Sequence, residues 1–282
     1  IVEDQVICCL QIVRPQSGLT APSPLFCFIL FSSEIYFALS AYCSDVAAVV
    51  VCSQDLFFIM ADDKKDDLKE KQAKSTEEWD EMADIWDDQA AFYRDSLAER
   101  LWDYLDLPLR VERKDLVVLD FGCGTGLMTE TLQPQVGQVI CIDASPLMIE
   151  KVLAKIKDNK WENVKGYTAI LSELEDQTEE VQSAMEELKG SVDLVLATSV
   201  LSFIPDLDGT MKVLADLLKP ETGLLCHTDW PYNEEKAPNG FTDEKATKLF
   251  ETAGLVRKTI TNLTMTMGDE EFPVFLGVAA KP

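Results

Sequence analysis

A single histidine, His227, stands among the 282 residues, and no Cys-x-x-Cys pair occurs anywhere. An imidazole and thiolate metal centre has no ligand set here, and no metal is expected. Positive charge is equally scarce: 25 Lys and Arg face 50 Asp and Glu, for a formal net charge of −25. A surface of that sign repels phosphate backbones, so nucleic acid is not an expected partner. A P-loop is also missing, since no Lys-Ser or Lys-Thr follows a glycine-rich turn. Of the eight cysteines, Cys123, Cys141 and Cys226 sit in or beside apolar runs and read as reduced core residues rather than a disulfide framework.

Methionine is absent from residues 1 to 59, which begin at Ile1 and carry Cys8, Cys9, Cys27, Cys43 and Cys52. Met60 opens a different composition, charged and helix-prone. The expected organisation is therefore a leader over 1–59 that is non-native or untranslated, a helical lead-in over 60–115, and a ligand-binding domain over 116–282. Leu25 to Val51 is apolar enough to raise a signal sequence or membrane span as the weaker alternative. Glu34 and Asp45 oppose it, each costing about 2.5–3.5 kcal/mol at mid-membrane, and Arg14 is the sole basic residue near it. A cytoplasmic location is the expectation, with a membrane association disfavoured.

What is present is concentrated at residues 117–126, Val-Val-Leu-Asp-Phe-Gly-Cys-Gly-Thr-Gly. Val117 to Phe121 reads as a buried strand, and Gly122, Gly124 and Gly126 let the chain turn and bring bare N–H groups to a ligand. Leu127, Met128 and Leu132 open a short helix. A dinucleotide site wants a third glycine where Leu127 stands, so a nicotinamide-dependent dehydrogenase is disfavoured. A second apolar strand, Val139 to Ile142, ends in Asp143, 21 positions after Gly122 and placed to accept both hydroxyls of a ribose. Ser145 caps and Pro146 starts a helix to about Lys157.

Strand and helix alternate thereafter: strands over Val164–Thr168, Val192–Ala197 and Leu224–His227, and helices over Thr178–Lys189, Asp208–Leu218 and from Thr242 to Gly254. Val256–Thr264 and Phe272–Ala280 read as two paired strands. The pattern predicts a doubly wound, mostly parallel α/β sheet. Upstream, Thr76 to Leu105 is expected to be helical, with Trp79, Met82, Ala83 and Trp86 forming an apolar stripe. The acids between Asp62 and Asp88 are read as a solvated helix face.

Asp120, the three glycines and Asp143 together resemble the first motifs of class I S-adenosylmethionine (SAM) methyltransferases. The whole of 76–282 is similar to the type-11/type-12 small-molecule group, which includes quinone-biosynthesis enzymes. That resemblance implies a Rossmann-like sheet whose last strand is antiparallel, SAM as cofactor, and methyl transfer to a small-molecule acceptor by in-line displacement. It places the glycine backbone on the methionyl group, Asp120 near its ammonium and Asp143 on the ribose. Ala144 and Met148 would border the adenine, Leu171, Ser172 and Glu173 would lie near its edge, and the backbone at Ser199 would complete the methionyl site. Trp79 and Trp86 match the aromatic lead-in that covers such sites, with simple core packing the alternative for them and for Phe92, Tyr93 and Trp102.

The chain departs from many relatives in lacking a histidine near Phe203, and it has no Asn/Asp-Pro-Pro-Tyr/Phe signature for amine methylation. His227 and Asp229 are the remaining candidates for taking a proton from the acceptor, Asp229 being the better placed. A binding or regulatory protein that keeps the SAM site without turnover is the second reading, and its acidic surface suits a basic protein partner.

Overall fold

The structure is a computed structural model, and it describes residues 26–31, 34–39, 53–97, 100–105, 112–267 and 270–282. The chain divides into two units, Ile1–Lys69 and Glu70–Pro282. In the first, β1 (Phe26–Phe31) and β2 (Glu34–Leu39) pair as an antiparallel hairpin, with Phe26 opposite Leu39. Among the described residues no helix is long and apolar enough to cross a membrane. Helix α1 (Ser53–Met82) runs through the composition change at Met60, and its part from Glu70 belongs to the second unit.

Helix α2 (Trp86–Ser96) follows after a break at residues 83–85, so the continuous helix expected over Thr76–Leu105 is corrected. Tight bonds from the Ala83 N–H to Asp80 and from the Ile85 N–H to Met82 replace the regular ladder there. The break puts Trp79 and Trp86 edge to face, ring centroids 5.1 Å apart, which a straight helix with both residues on one stripe does not require. Phe92 and Tyr93 have side chains outside the described set.

The rest alternates as the pattern predicts: β3 (Val117–Phe121), α3 (Leu127–Leu132), β4 (Gln138–Asp143), α4 (Pro146–Asn159), β5 (Val164–Thr168), α5 (Glu179–Leu188), β6 (Leu194–Thr198), α6 (Leu207–Leu217), β7 (Leu224–Asp229), α7 (Asp243–Thr252), β8 (Val256–Met267) and β9 (Glu270–Ala280). Their local signals explain their starts. The Ser145, Thr178, Asp206 and Thr242 side chains each accept a first-turn N–H, and Pro146 occupies the position where a missing N–H costs nothing.

One seven-stranded sheet results, in the order β5-β4-β3-β6-β7-β9-β8. β5, β4, β3, β6 and β7 are parallel, and β9 is antiparallel to both neighbours. Helices cover both faces, so adjacent residues such as Val118 and Leu119 are both fully buried although they enter opposite core clusters. This is why the strands read as unbroken apolar runs. Chain order reverses between β3 and β6, leaving a crevice beyond their carboxyl ends, where open α/β sheets hold ligands.

Candidate functional site

The glycine turn that follows β3 is built for close approach. Gly122, Gly124 and Gly126 have φ of 66°, 54° and 85°, a region side chains strain to adopt. At Gly122 any Cβ would sit 2.3 Å from Val200 Cγ2, and at Gly124 one would meet Trp86 Nε1 at 3.0 Å. The turn is tied to the next strand: the Gly122 and Cys123 N–H groups donate to the Ile142 carbonyl at 2.7 and 3.1 Å, and the Gly124 N–H donates to Asp143 Oδ2 at 2.9 Å. Asp143 Oδ1 accepts from the Ser145 N–H at 2.9 Å. One carboxylate thus orders both the glycine turn and the start of α4. Burial pushes its pKa up, and the backbone donors only partly offset this.

Asp120, 1% exposed, accepts from the Thr129 hydroxyl at 2.6 Å. Its carboxyl is pushed up to about 6, by burial first, with the Thr129 hydrogen bond opposing and the charge of Asp143 adding. Nearby, Thr198 at the end of β6 has a buried hydroxyl with no hydrogen-bond partner among the described residues. A carboxylate kept from full solvation beside an unpaired hydroxyl is a site with unfilled polar capacity.

These groups line one cavity, with about 960 Å³ of non-atom space when the open solvent at its mouth is included. Its floor is the glycine turn; its apolar side includes Ala144, Met148, Ala169, Ile170 and Leu171; and Thr198, Ser199 and Val200 close the end of β6. Ser199 takes a left-handed backbone, φ 54°, which aims this short segment away from its strand. Gln72, Ser75 and Trp79 from α1, with Phe203, Ile204 and Thr210 across from them, form the remaining wall.

The lead-in helices are fastened over this cavity by three acids of the run read as a solvated face: Asp84 and Asp87 stay exposed as expected, yet each of the three also has a partner on another element. Asp80 accepts from the Ser145 hydroxyl and the Leu147 N–H at the start of α4. Asp84 pairs with Lys151. Asp87 accepts from the Thr125 hydroxyl in the glycine turn and pairs with Lys155 at 2.9 Å. Lys155 also pairs with Glu130 on α3 at 2.7 Å. Trp79 further meets Phe203 edge to face at 5.2 Å. Two tryptophans are thereby held at the cavity by partners from three other elements.

The expected site residues Asp120, Gly122, Gly124, Asp143, Ala144, Met148, Leu171 and Ser199 all line the cavity, and Gly126 caps α3 directly behind it. Ser172 and Glu173 are not in the lining: the 3-10 turn over Leu171–Asp176 directs Leu171 inward and carries the chain away. His227 and Asp229 are corrected most. β7 lies one strand beyond the point where chain order reverses, so neither residue reaches the cavity lining. His227 is wholly buried between Phe241 and Phe275, at ring centroid distances of 4.2 and 5.4 Å. Asp229 accepts from the Ser202 N–H at 3.1 Å, the Ser202 hydroxyl at 2.8 Å and the Trp230 N–H at 2.8 Å. Burial raises its pKa, but His227 and these donors outweigh that and hold it below the ordinary value. Its evident work is to fasten the turn Leu201–Phe203, which carries Phe203 to the cavity. Gln72, Ser75, Thr198 and Thr210 escaped the sequence reading, because an isolated polar residue on a helix or strand carries no pattern.

Residues 119–225 match the family described as methyltransferase domain. A ubiquinone biosynthesis O-methyltransferase of Xanthomonas oryzae pv. oryzae is 28% identical over 148 residues, 47% of this chain and 57% of that protein. The chain thus spans about half the length of the curated relatives it matches. Among solved structures, a SAM-dependent methyltransferase from Aquifex aeolicus superposes with a TM-score of 0.53 at 16% identity, covering 72% of this chain and 97% of its own. Geranyl diphosphate C-methyltransferase from Streptomyces coelicolor A3(2), solved with Mg2+, geranyl diphosphate and S-adenosylhomocysteine, gives 0.50 at 16% identity, covering 66% and 78%. At such identities the structural likeness speaks to the fold.

Proposed function

Because the chain carries a class I methyltransferase domain of the type-11/type-12 group, we propose that it is a SAM-dependent methyltransferase acting on a small-molecule acceptor. The observation that carries the reading is the shared hold of Asp143 on the glycine turn and on α4, in the lining of the cavity beyond the carboxyl ends of β3 and β6. The donor set fits the adenosyl group. Each Asp143 oxygen has a second lone pair for a ribose hydroxyl, and Ala144, Met148 and Leu171 offer an apolar slot for the adenine. Asp120 and the Thr198 hydroxyl suit the cationic ammonium end, which restores to Asp120 the charge that burial disfavours.

Held there by Asp143 and Asp120, SAM would supply an electrophilic methyl carbon for in-line displacement by an acceptor lone pair, with S-adenosylhomocysteine as the leaving group and the acceptor's proton going to solvent. The chain's own contribution is to hold and to exclude. Trp79 and Trp86 keep bulk water from the reacting end, and the ordered turn at Ser199–Phe203 fixes the approach direction. Near-attack positioning of this kind is worth up to about 7–11 kcal/mol. With His227 and Asp229 outside the lining, proton removal is left to the acceptor's own acidity.

The comparisons with O-methyltransferases favour turnover over the alternative of a silent SAM-binding module, and a protein partner for the acidic surface remains compatible with either. The test is calorimetric titration of the full chain with SAM, S-adenosylhomocysteine and NADH. Micromolar binding of the two adenosyl ligands is expected, weakened at least about a hundredfold in Asp143→Ala, or about 2.7 kcal/mol. Binding of NADH alone, or of none of the three, overturns the proposal.

A further inference from the structure

The part of the cavity not claimed by the cofactor has a chemistry of its own. Its walls are Gln72, Ser75 and Trp79 on α1 against Phe203, Ile204 and Thr210. Trp79 and Phe203 meet edge to face at 5.2 Å, and Phe203 is 43% exposed, so part of its ring is open to a molecule entering the cavity. Gln72, only 6% exposed, Ser75 and Thr210 add hydrogen-bonding groups without charge.

Among the described residues, no Lys, Arg or His lines the cavity, and its two acidic side chains are Asp120 and Asp143. Two lysines of α4 are already engaged elsewhere: Lys151 holds Asp84, while Lys155 holds Asp87 and Glu130. A carboxylate or phosphate on the acceptor, remote from the reacting atom, would be desolvated with two like charges in the same cavity and no counter-ion. The one place a developing negative charge is welcome is beside the sulfonium.

We infer that this second half is the acceptor subsite, and that it takes a planar, uncharged ring packed against the touching pair Trp79 and Phe203 while rejecting acceptors that bear a carboxylate or phosphate. The inference rests on the proposed methyltransferase reading and narrows its substrate class. It selects by two means: aromatic contact favours a flat ring, worth about 0.5–1.5 kcal/mol per pair, and missing counter-charge excludes anions.

The probes are 2-naphthol, 6-hydroxy-2-naphthoate and the methyl ester of the latter, titrated by their own fluorescence into the full chain saturated with S-adenosylhomocysteine. Naphthol and ester are expected to bind at least about tenfold tighter than the acid. Trp79→Ala and Phe203→Ala should each weaken the neutral probes about three- to tenfold. Gln72→Arg, which puts a counter-ion in the subsite, should recover the acid selectively. Equal or tighter binding of the acid to the native chain overturns the inference. So does failure of all three probes while S-adenosylhomocysteine still binds; failure of S-adenosylhomocysteine itself instead overturns the underlying methyltransferase reading. Thermal melting of each variant distinguishes a lost contact from a lost fold.

Discussion

Two buried carboxylates at the same edge of the sheet, Asp120 on β3 and Asp229 on β7, have opposite fates. Both are at most 2% exposed. Asp229 collects three donors and the neighbouring His227, so its charge is stabilised and its pKa lies below the ordinary value. Asp120 has the Thr129 hydroxyl and a like charge at Asp143, and its pKa rises to about 6. The better-satisfied carboxylate has most of its accepting capacity filled and serves the fold; the under-satisfied one faces the cavity and is completed by what binds there. Position in the sheet makes the difference, since β3 flanks the crevice and β7 does not.

The sharpest way to break this comparison is to remove the satisfied member. Asp229→Ala leaves the Ser202 and Trp230 N–H groups without their partner in a part-buried place, and we expect a stability loss of about 1–3 kcal/mol in denaturant unfolding. Affinity for S-adenosylhomocysteine should change less than about fivefold. Intact stability with a rate reduced beyond a hundredfold would restore Asp229 to the chemistry.

The next effect concerns Asp120→Asn. With a native pKa near 6 against about 3.9 unfolded, the raised acid favours folding below the unfolded value, and that contribution is lost as pH rises through about 6. The free chain should therefore be less stable at pH 7 than its Asn variant, by up to about 3 kcal/mol. Cofactor affinity runs the other way: a cationic ammonium prefers the ionised carboxylate, so binding should weaken as pH falls below about 6 in the native chain. In the variant it should be about tenfold weaker at pH 7 and nearly flat. Matching pH profiles for the two proteins would remove Asp120 from the cofactor site.

His227→Phe should do least. Both imidazole nitrogens lack a hydrogen-bond partner among the described residues, and Nε2 is 3.7 Å from Asp229 Oδ2, an electrostatic contact too long for a hydrogen bond. An aromatic ring of similar shape among Phe241 and Phe275 keeps the packing. A change in turnover below about fivefold is expected; a larger loss with unchanged cofactor affinity would return His227 to a part in proton transfer.

Where a function depends on residues adjacent in the chain, the sequence was readable. The glycine turn after an apolar strand, Asp143 at the end of the next one, and the Ser145-Pro146 helix start are each local arrangements whose conformational demands leave a mark in residue type. The same holds for the parallel sheet, because burial on both faces imposes continuous apolar runs. Asp80, Asp84 and Asp87 were invisible in that sense: an acid on a solvated helix and an acid fastening a helix to Ser145, Lys151 or Thr125 look alike until the partners are brought together.

His227 and Asp229 show the same boundary from the other side. Their chemistry was legible, but strand order was not, and strand order left them outside the cavity lining. The sequence by itself determined the alternation of elements, the glycine turn and the scarcity of positive charge, since backbone conformation and composition are local or summed properties. Only the tertiary structure decided which carboxylate is completed and which waits for a ligand, because solvation and counter-charge depend on neighbours that chain distance does not reveal.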